Sequence, residues 1–187
     1  MDRRSFALGA LLAPLALREA TASVMSRLNE PRTHALMRHA LAPGTGDPAR
    51  FVLEDCSTQR NLSEQGRAQA ALTGEMLRAS GARVDHLWSS QWCRCLDTAR
   101  LMEVGTVVEQ PALNSFFENR ATEPAQSAEI RRLLASLPSE ETAFCVTHQV
   151  NITALTRSGV SSGEIFVVRV DERGTVSTLE RITVPLG

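Results

Sequence analysis

Short, dense apolar runs alternate along this chain with longer segments in which apolar residues recur at helical spacing. The runs at His34–Arg38, Val84–Trp88, Thr106–Glu109 and Thr142–Thr147 read as buried strands. Between the first two, Ser63 caps a helix that extends to about Ser80, with Ala68, Ala71, Leu72, Met76 and Leu77 on one face and Gly81 as its stop. A second helix follows the polar corner Ser89-Ser90 and runs through Met102. A third covers Ala125–Leu137 and is ended by Pro138, and a short one follows His148. Residues 40–61, rich in Gly, Pro, Asp and Asn, and Pro111–Pro124 read as long loops, which in compact domains are usually functional. Glu164–Val170 and Thr175–Val184, joined at Asp171-Glu172-Arg173-Gly174, form a closing hairpin. Strands alternating with helices predict an α/β three-layer sandwich, a mainly parallel sheet with helices on both faces. Ligands of such folds bind beyond the carboxyl ends of the strands. Three strand ends here carry polar groups suited to a phosphate: Arg38-His39, Ser89-Ser90 with Arg94, and Thr147-His148.

Residues 1–22 depart from that pattern. Arg3-Arg4 precedes an apolar run, Phe6–Leu17, that is too short for the roughly 20 helical residues of a membrane span. Ala20-Thr21-Ala22 then supplies the small residues of a cleavage site. The order resembles a twin-arginine (Tat) signal, which implies export of a folded protein by the Tat machinery and a periplasmic mature domain, residues 23–187. The rival reading is an amphipathic N-terminal helix packed on the domain. In an oxidising compartment the cysteines Cys56, Cys93, Cys95 and Cys145 are permitted a disulfide. A bridge from Cys56 to Cys93 or to Cys95 and buried free thiols all remain open.

The remaining 165 or so residues fit one domain with its own core. A formal net charge of −1 offers no global positive field for nucleic acid or anionic lipid. Every one of the twenty basic residues is Arg, so a single arginine marks a site only where its neighbours define its surroundings. No Cys, His and carboxylate set has metal-ligand spacing, and neither a metal nor another cofactor is expected.

Phosphoryl transfer requires positive charge on the nonbridging oxygens, a nucleophile in line and a proton for the departing oxygen. Guanidinium forks match phosphate oxygens, and neighbouring guanidinium groups keep an imidazole neutral and able to attack. A second imidazole, protonated, would hold the transferring group. Arg38-His39 after a first strand, Ser89-Ser90-Gln91-Trp92-Cys93-Arg94-Cys95-Leu96-Asp97-Thr98-Ala99, and Val146-Thr147-His148 resemble the histidine phosphatase superfamily, of phosphoglycerate mutase-like fold. Asn61-Leu62-Ser63-Glu64-Gln65-Gly66-Arg67-Ala68-Gln69-Ala70 is similar to that family's first helix start, so the likeness covers about residues 33–160. It implies His39 as the phosphorylated nucleophile, with Arg38, Arg94 and His148 around the phosphate.

Two positions depart from the family pattern. Ala40 stands where Gly usually follows Arg-His, and Leu113-Asn114-Ser115 places Ser where many members have the acid Glu. Glu118 is the first candidate for that acid, with Asp47, Glu54 and Asp55 as alternatives. Within the superfamily, Ala40-Leu41-Ala42-Pro43-Gly44 and Thr147-His148-Gln149 resemble the lipopolysaccharide core heptose-phosphate phosphatases. That likeness implies a phosphorylated small-molecule or glycan substrate. The alternatives are a protein phosphohistidine phosphatase and a phosphate-binding module without turnover.

Overall fold

The computed structural model describes residues 23–186; the expected export segment, residues 1–22, lies outside them. Six strands form one sheet in the order β3-β2-β4-β1-β5-β6. They are β1 (Thr33–Arg38), β2 (His86–Ser89), β3 (Val107–Glu109), β4 (Ala143–Thr147), β5 (Ile165–Val170) and β6 (Val176–Ile182). The pairs β3/β2, β2/β4 and β4/β1 are parallel, and the closing hairpin adds β5 and β6 antiparallel beside β1. Helices α1 (Glu64–Ser80), α2 (Cys93–Met102), α3 (Glu123–Ala135) and α4 (Gln149–Thr156) connect the strands.

The central strands β1, β4 and β5 are buried on both faces because they are apolar on both. Ala35 and Met37 of β1, Phe144 and Val146 of β4, and Ile165 and Val167 of β5 face one core, completed by Leu77 of α1 and by Cys95, Ala99 and Met102 of α2. Leu36, Ala143, Cys145, Phe166 and Val168 face the other, with Ile130 and Leu134 of α3 and Ile152 and Leu155 of α4. The result is the three-layer sandwich expected from the sequence. Among the described residues no helix is long and apolar enough to cross a membrane.

Helix α1 begins and ends as the sequence predicts. Ser63 accepts a hydrogen bond from the Gly66 N–H, and Gly81 closes the helix in the left-handed conformation at φ 64°. Its buried face differs from the expected one. Gly66, Gln69, Ala70, Thr73, Gly74 and Leu77 are buried, whereas Ala68 is exposed and Leu72 and Met76 only flank the core. The reason is close backbone approach: a Cβ on Gly66 would lie 2.1 Å from the Leu41 carbonyl oxygen, and one on Gly74 1.8 Å from that of Met102. Leu41 begins the loop after β1, so the two glycines seat α1 directly against the segments that carry the site.

Candidate active site

Strand register assembles the site. Arg38 pairs with Thr147 and Ser89 with Val146, so the next residues, His39, His148 and Ser90, leave the sheet side by side. The His39 N–H donates to the Thr147 carbonyl (2.9 Å) and the Ser90 N–H to that of Val146 (3.0 Å), which extends the ladder one residue beyond the strands. Arg94, in the first turn of α2, closes the group. His39, Arg94 and His148 are 2%, 2% and 3% exposed. Together with Arg38 they line a cavity of about 260 Å³, whose rim also includes Glu118. All five residues singled out in the sequence therefore meet at one place.

The hydrogen bonds define which imidazole nitrogens hold protons. His39 Nδ1 lies 2.8 Å from the Ala40 carbonyl oxygen, which can only accept, so Nδ1 carries the hydrogen and Nε2 keeps its lone pair. Ala40 is tolerated where the family usually has Gly because its backbone is not left-handed; its N–H donates to Thr98 Oγ1 (3.1 Å). At His148 the Arg94 guanidinium approaches Nδ1 at 3.4 Å as a donor. Nε2–H then donates to Ser90 Oγ at 2.8 Å, and the Ser90 hydroxyl donates to Asn114 Oδ1 at 3.2 Å. The two imidazole rings stand 5.6 Å apart, edge to face.

Burial first, and the positive charge of Arg94 next, push both imidazoles well below the ordinary histidine range. Both are neutral at pH 7. For His39 this is the state a nucleophile requires. For His148 it describes the anion-free cavity: the surrounding arginines leave no favourable place for a further positive charge until an anion arrives.

Two further groups complete the floor: Arg60, which the sequence did not single out, and Asp47, which it offered as an alternative acid. Arg60, at the end of the long loop, donates to the carbonyls of Gly46 and Ala42 and lines the cavity, which adds a third guanidinium to Arg38 and Arg94. Asp47 receives both terminal nitrogens of Arg94, at 2.7 and 3.1 Å, and the Trp92 indole N–H at 3.0 Å. Burial alone would raise the Asp47 carboxyl, but the Arg94 fork and charge, with the Arg60 N–H and Trp92, hold it below its usual range. The Nε–H groups of Arg38 and Arg94 are buried and have no partner among the described residues, an arrangement that structure alone does not reward.

The loop that carries these groups is tied to α2 covalently. Cys56 and Cys93 form a disulfide across 37 residues, while Cys95 and Cys145 are buried free thiols. Gly44 and Gly46, at φ 93° and 68°, supply the left-handed turns that return the loop to the cavity.

The remaining candidates divide clearly. Glu118 is exposed at the cavity mouth, whereas Glu54 and Asp55 are exposed outside it, and Asp55 caps the turn at Cys56–Thr58. Trp88 is core, and Trp92 lines the cavity. Gln149 also lines it, but Asn151 is buried and pins the loop after β3, donating to the carbonyls of Leu113 (2.8 Å) and Asn114 (3.0 Å). His34 is buried with Nδ1 accepting from the Ala143 N–H, and His86 pairs with Glu141 at 2.7 Å; neither reaches the cavity. Among the described residues no group of three or more His, Cys, Asp or Glu side chains is placed to hold a metal ion.

Residues 35–118 match the model of the histidine phosphatase superfamily (branch 1). No curated protein sequence matches the chain. The fold is similar to that of the protein histidine phosphatase SixA solved with tungstate (16% identity, 81% of this chain and 96% of that one, TM-score 0.60). It is similar also to a mycobacterial glucosyl-3-phosphoglycerate phosphatase (18%, 80% and 97%, 0.54) and to phosphoglycerate mutase from Plasmodium falciparum (16%, 81% and 91%, 0.53).

Proposed function

We propose, for a chain that belongs to the histidine phosphatase superfamily and is a phosphatase, that it hydrolyses a sugar or glycan phosphomonoester in the periplasm through a phosphohistidine on His39. The observation that carries this reading is the Ala40 carbonyl on His39 Nδ1, which leaves the Nε2 lone pair free in a cavity walled by Arg38, Arg60 and Arg94. In the first step Nε2 attacks phosphorus, the P–N bond forms, and the P–O bond to the leaving group breaks. Glu118 gives the departing oxygen its proton. Water then attacks phosphorus, Glu118 takes the proton of that water, and the electron pair of the P–N bond returns to Nε2. The arginines balance the charge of the nonbridging oxygens. A bound phosphoryl dianion reverses the charge balance at His148, which then takes a proton and becomes a charge-assisted donor.

Glu118 is preferred to Asp47 as the acid because both Asp47 oxygens are already engaged, by the Arg94 fork and the Trp92 indole, whereas Glu118 stands at the cavity mouth. Export is supported by the twin-arginine-like residues 1–22 and by the Cys56–Cys93 disulfide, which requires an oxidising compartment.

A second reading, a protein phosphohistidine phosphatase, is supported by the likeness to SixA and by the exposed mouth of the cavity. One experiment addresses both. Rapid mixing with radiolabelled phosphoester and an alkaline quench should trap an acid-labile phosphoenzyme on His39, and His39→Ala should form none. Turnover that survives in His39→Ala would overturn the mechanism. Faster turnover of a phosphohistidine peptide than of sugar phosphates would favour the second substrate class.

A further inference from the structure

Beside the cavity lies a second, more open depression of about 470 Å³, between the outer face of α4 and the start of α3. Gln149, Thr153 and Arg157 line it along one side of α4, and Arg120 and Glu123 face them from the loop before α3 and its first turn. Arg120 and Gln149 line both depressions, so the two are continuous.

The arginines here differ from most on this surface. Arg27, Arg32, Arg67, Arg83, Arg100, Arg132, Arg169 and Arg181 each lie within 4.0 Å of a carboxylate. Among the described residues Arg120 and Arg157 have no such partner; Arg50, Arg78, Arg131 and Arg173 also lack one, but none of those four lines either depression. Arg120 instead stands over the Phe117 ring, 5.5 Å from its centre. Arg157 ends α4 in the left-handed conformation, φ 58°, a position that favours glycine. Backbone preference and an internal ion pair therefore do not account for an arginine there; the helix dipole favours its charge at a C-terminus but does not require the side chain to line a depression that continues the His39 cavity.

We propose that this depression is a second anion subsite, and that the substrate is a phosphomonoester whose leaving group carries another anionic group, a phosphate or a carboxylate. The inference rests on the hydrolytic reading of the His39 cavity and specifies its substrate. Arg157 is nine residues beyond His148, about 13 Å along a helix. The second charge thus belongs on the far side of a leaving group of monosaccharide size, not on the transferring phosphoryl. Arg120, shared by both depressions, spans the interval, and Gln149 offers its amide to hydroxyls between them. Glu123 on the opposite wall offsets one of the two positive charges.

A matched series of anomeric phosphates tests this: glucose 1-phosphate, glucuronic acid 1-phosphate and glucose 1,6-bisphosphate, with p-nitrophenyl phosphate as the reporter of the His39 chemistry. At low salt, kcat/KM should be about tenfold higher for at least one doubly anionic ester than for glucose 1-phosphate. That ratio should fall towards unity in Arg157→Gly, which suits the left-handed backbone and keeps the fold, and in Arg120→Gln. It should also shrink as salt is raised and grow in Glu123→Gln. Which acidic ester gains identifies the second group as carboxylate or phosphate. A wild-type ratio near unity, or variants that lose equally on all esters, would overturn the subsite while p-nitrophenyl phosphate turnover continued. No turnover of p-nitrophenyl phosphate would remove the hydrolytic reading itself, and the subsite with it.

Discussion

The floor and the rim of the cavity are built on opposite principles. On the floor, His39, Arg94 and His148 are almost fully buried, and each is held by a backbone carbonyl, a carboxylate fork or a neighbouring hydroxyl. At the rim, Phe117 is 44% exposed and Glu118 stands in solvent, on a loop whose preceding residues Leu113 and Asn114 are anchored from below by Thr147, Asn151 and Gln126. Chemistry that must be the same at every turnover sits where strand ends leave no freedom. Groups that meet the variable part of a substrate sit where a loop can change without disturbing the sheet.

The strongest way to break the floor is Arg94→Ala. It should leave Asp47 buried and ionised, destabilise the protein by about 3–5 kcal/mol, and lower kcat/KM by about 10³-fold or more. Adding Asp47→Asn should restore most of the stability in denaturant titrations but none of the turnover. If turnover returned as well, the guanidinium would be serving the fold and not the phosphate.

Next comes the staple between the two regions. Loss of a crosslink closing 37 residues should cost up to about 4 kcal/mol. Cys56→Ser with Cys93→Ser should therefore melt well below the wild type and bind phosphate more weakly, because Arg60 and Asp47 ride on the released loop. Unchanged melting would show that packing alone holds that loop.

His34 separates the effect of burial on an imidazole from that of the site's arginines. Burial, with minor help from the charges of His86 and Arg32, lowers it to about 4, below the 6.5 of a free side chain. Above pH 6.5 its contribution to stability is complete. As pH falls from 6.5 towards 4, the unfolded chain takes a proton that the folded chain refuses, and about 3 kcal/mol is lost. His39 and His148 add losses of the same sign. His34→Asn, which keeps an acceptor for the Ala143 N–H, should remove its own share of this acid sensitivity, measured as unfolding free energy between pH 7 and 4. An unchanged pH slope would place the sensitivity elsewhere.

The smallest effect belongs to the rim. Glu118→Gln should lower kcat on alkyl phosphates by about 10²-fold and on p-nitrophenyl phosphate by about twofold at most, because a good leaving group needs little protonation. Equal losses on both would assign Glu118 to binding.

The same division explains what could be read from the sequence. A buried strand followed at once by Arg-His or Thr-His is a local pattern, and strand order then brings such ends together, so the floor was legible. Arg60 was not. It is one of twenty arginines, in a loop whose path depends on Gly44, Gly46 and a disulfide partner that spacing alone left open. The fork from Arg94 to Asp47 joins residues 47 positions apart that share no motif. The face of α1 was misread for a related reason. Hydrophobicity predicts burial by side chains, but this face is buried by the absence of side chains at Gly66 and Gly74.

The pairing of Asp47 with Arg94 has a consequence for the end of the catalytic cycle. Inorganic phosphate must leave before another ester can enter, and three guanidinium groups around one dianion would make departure slow. Asp47 keeps a standing claim on both terminal nitrogens of Arg94 and stays ionised while it does so. The anion in the cavity therefore shares that arginine instead of owning it. A carboxylate placed against the substrate's own charge thus sets a ceiling on product inhibition, and the enzyme exchanges tightness of grip for rate of release.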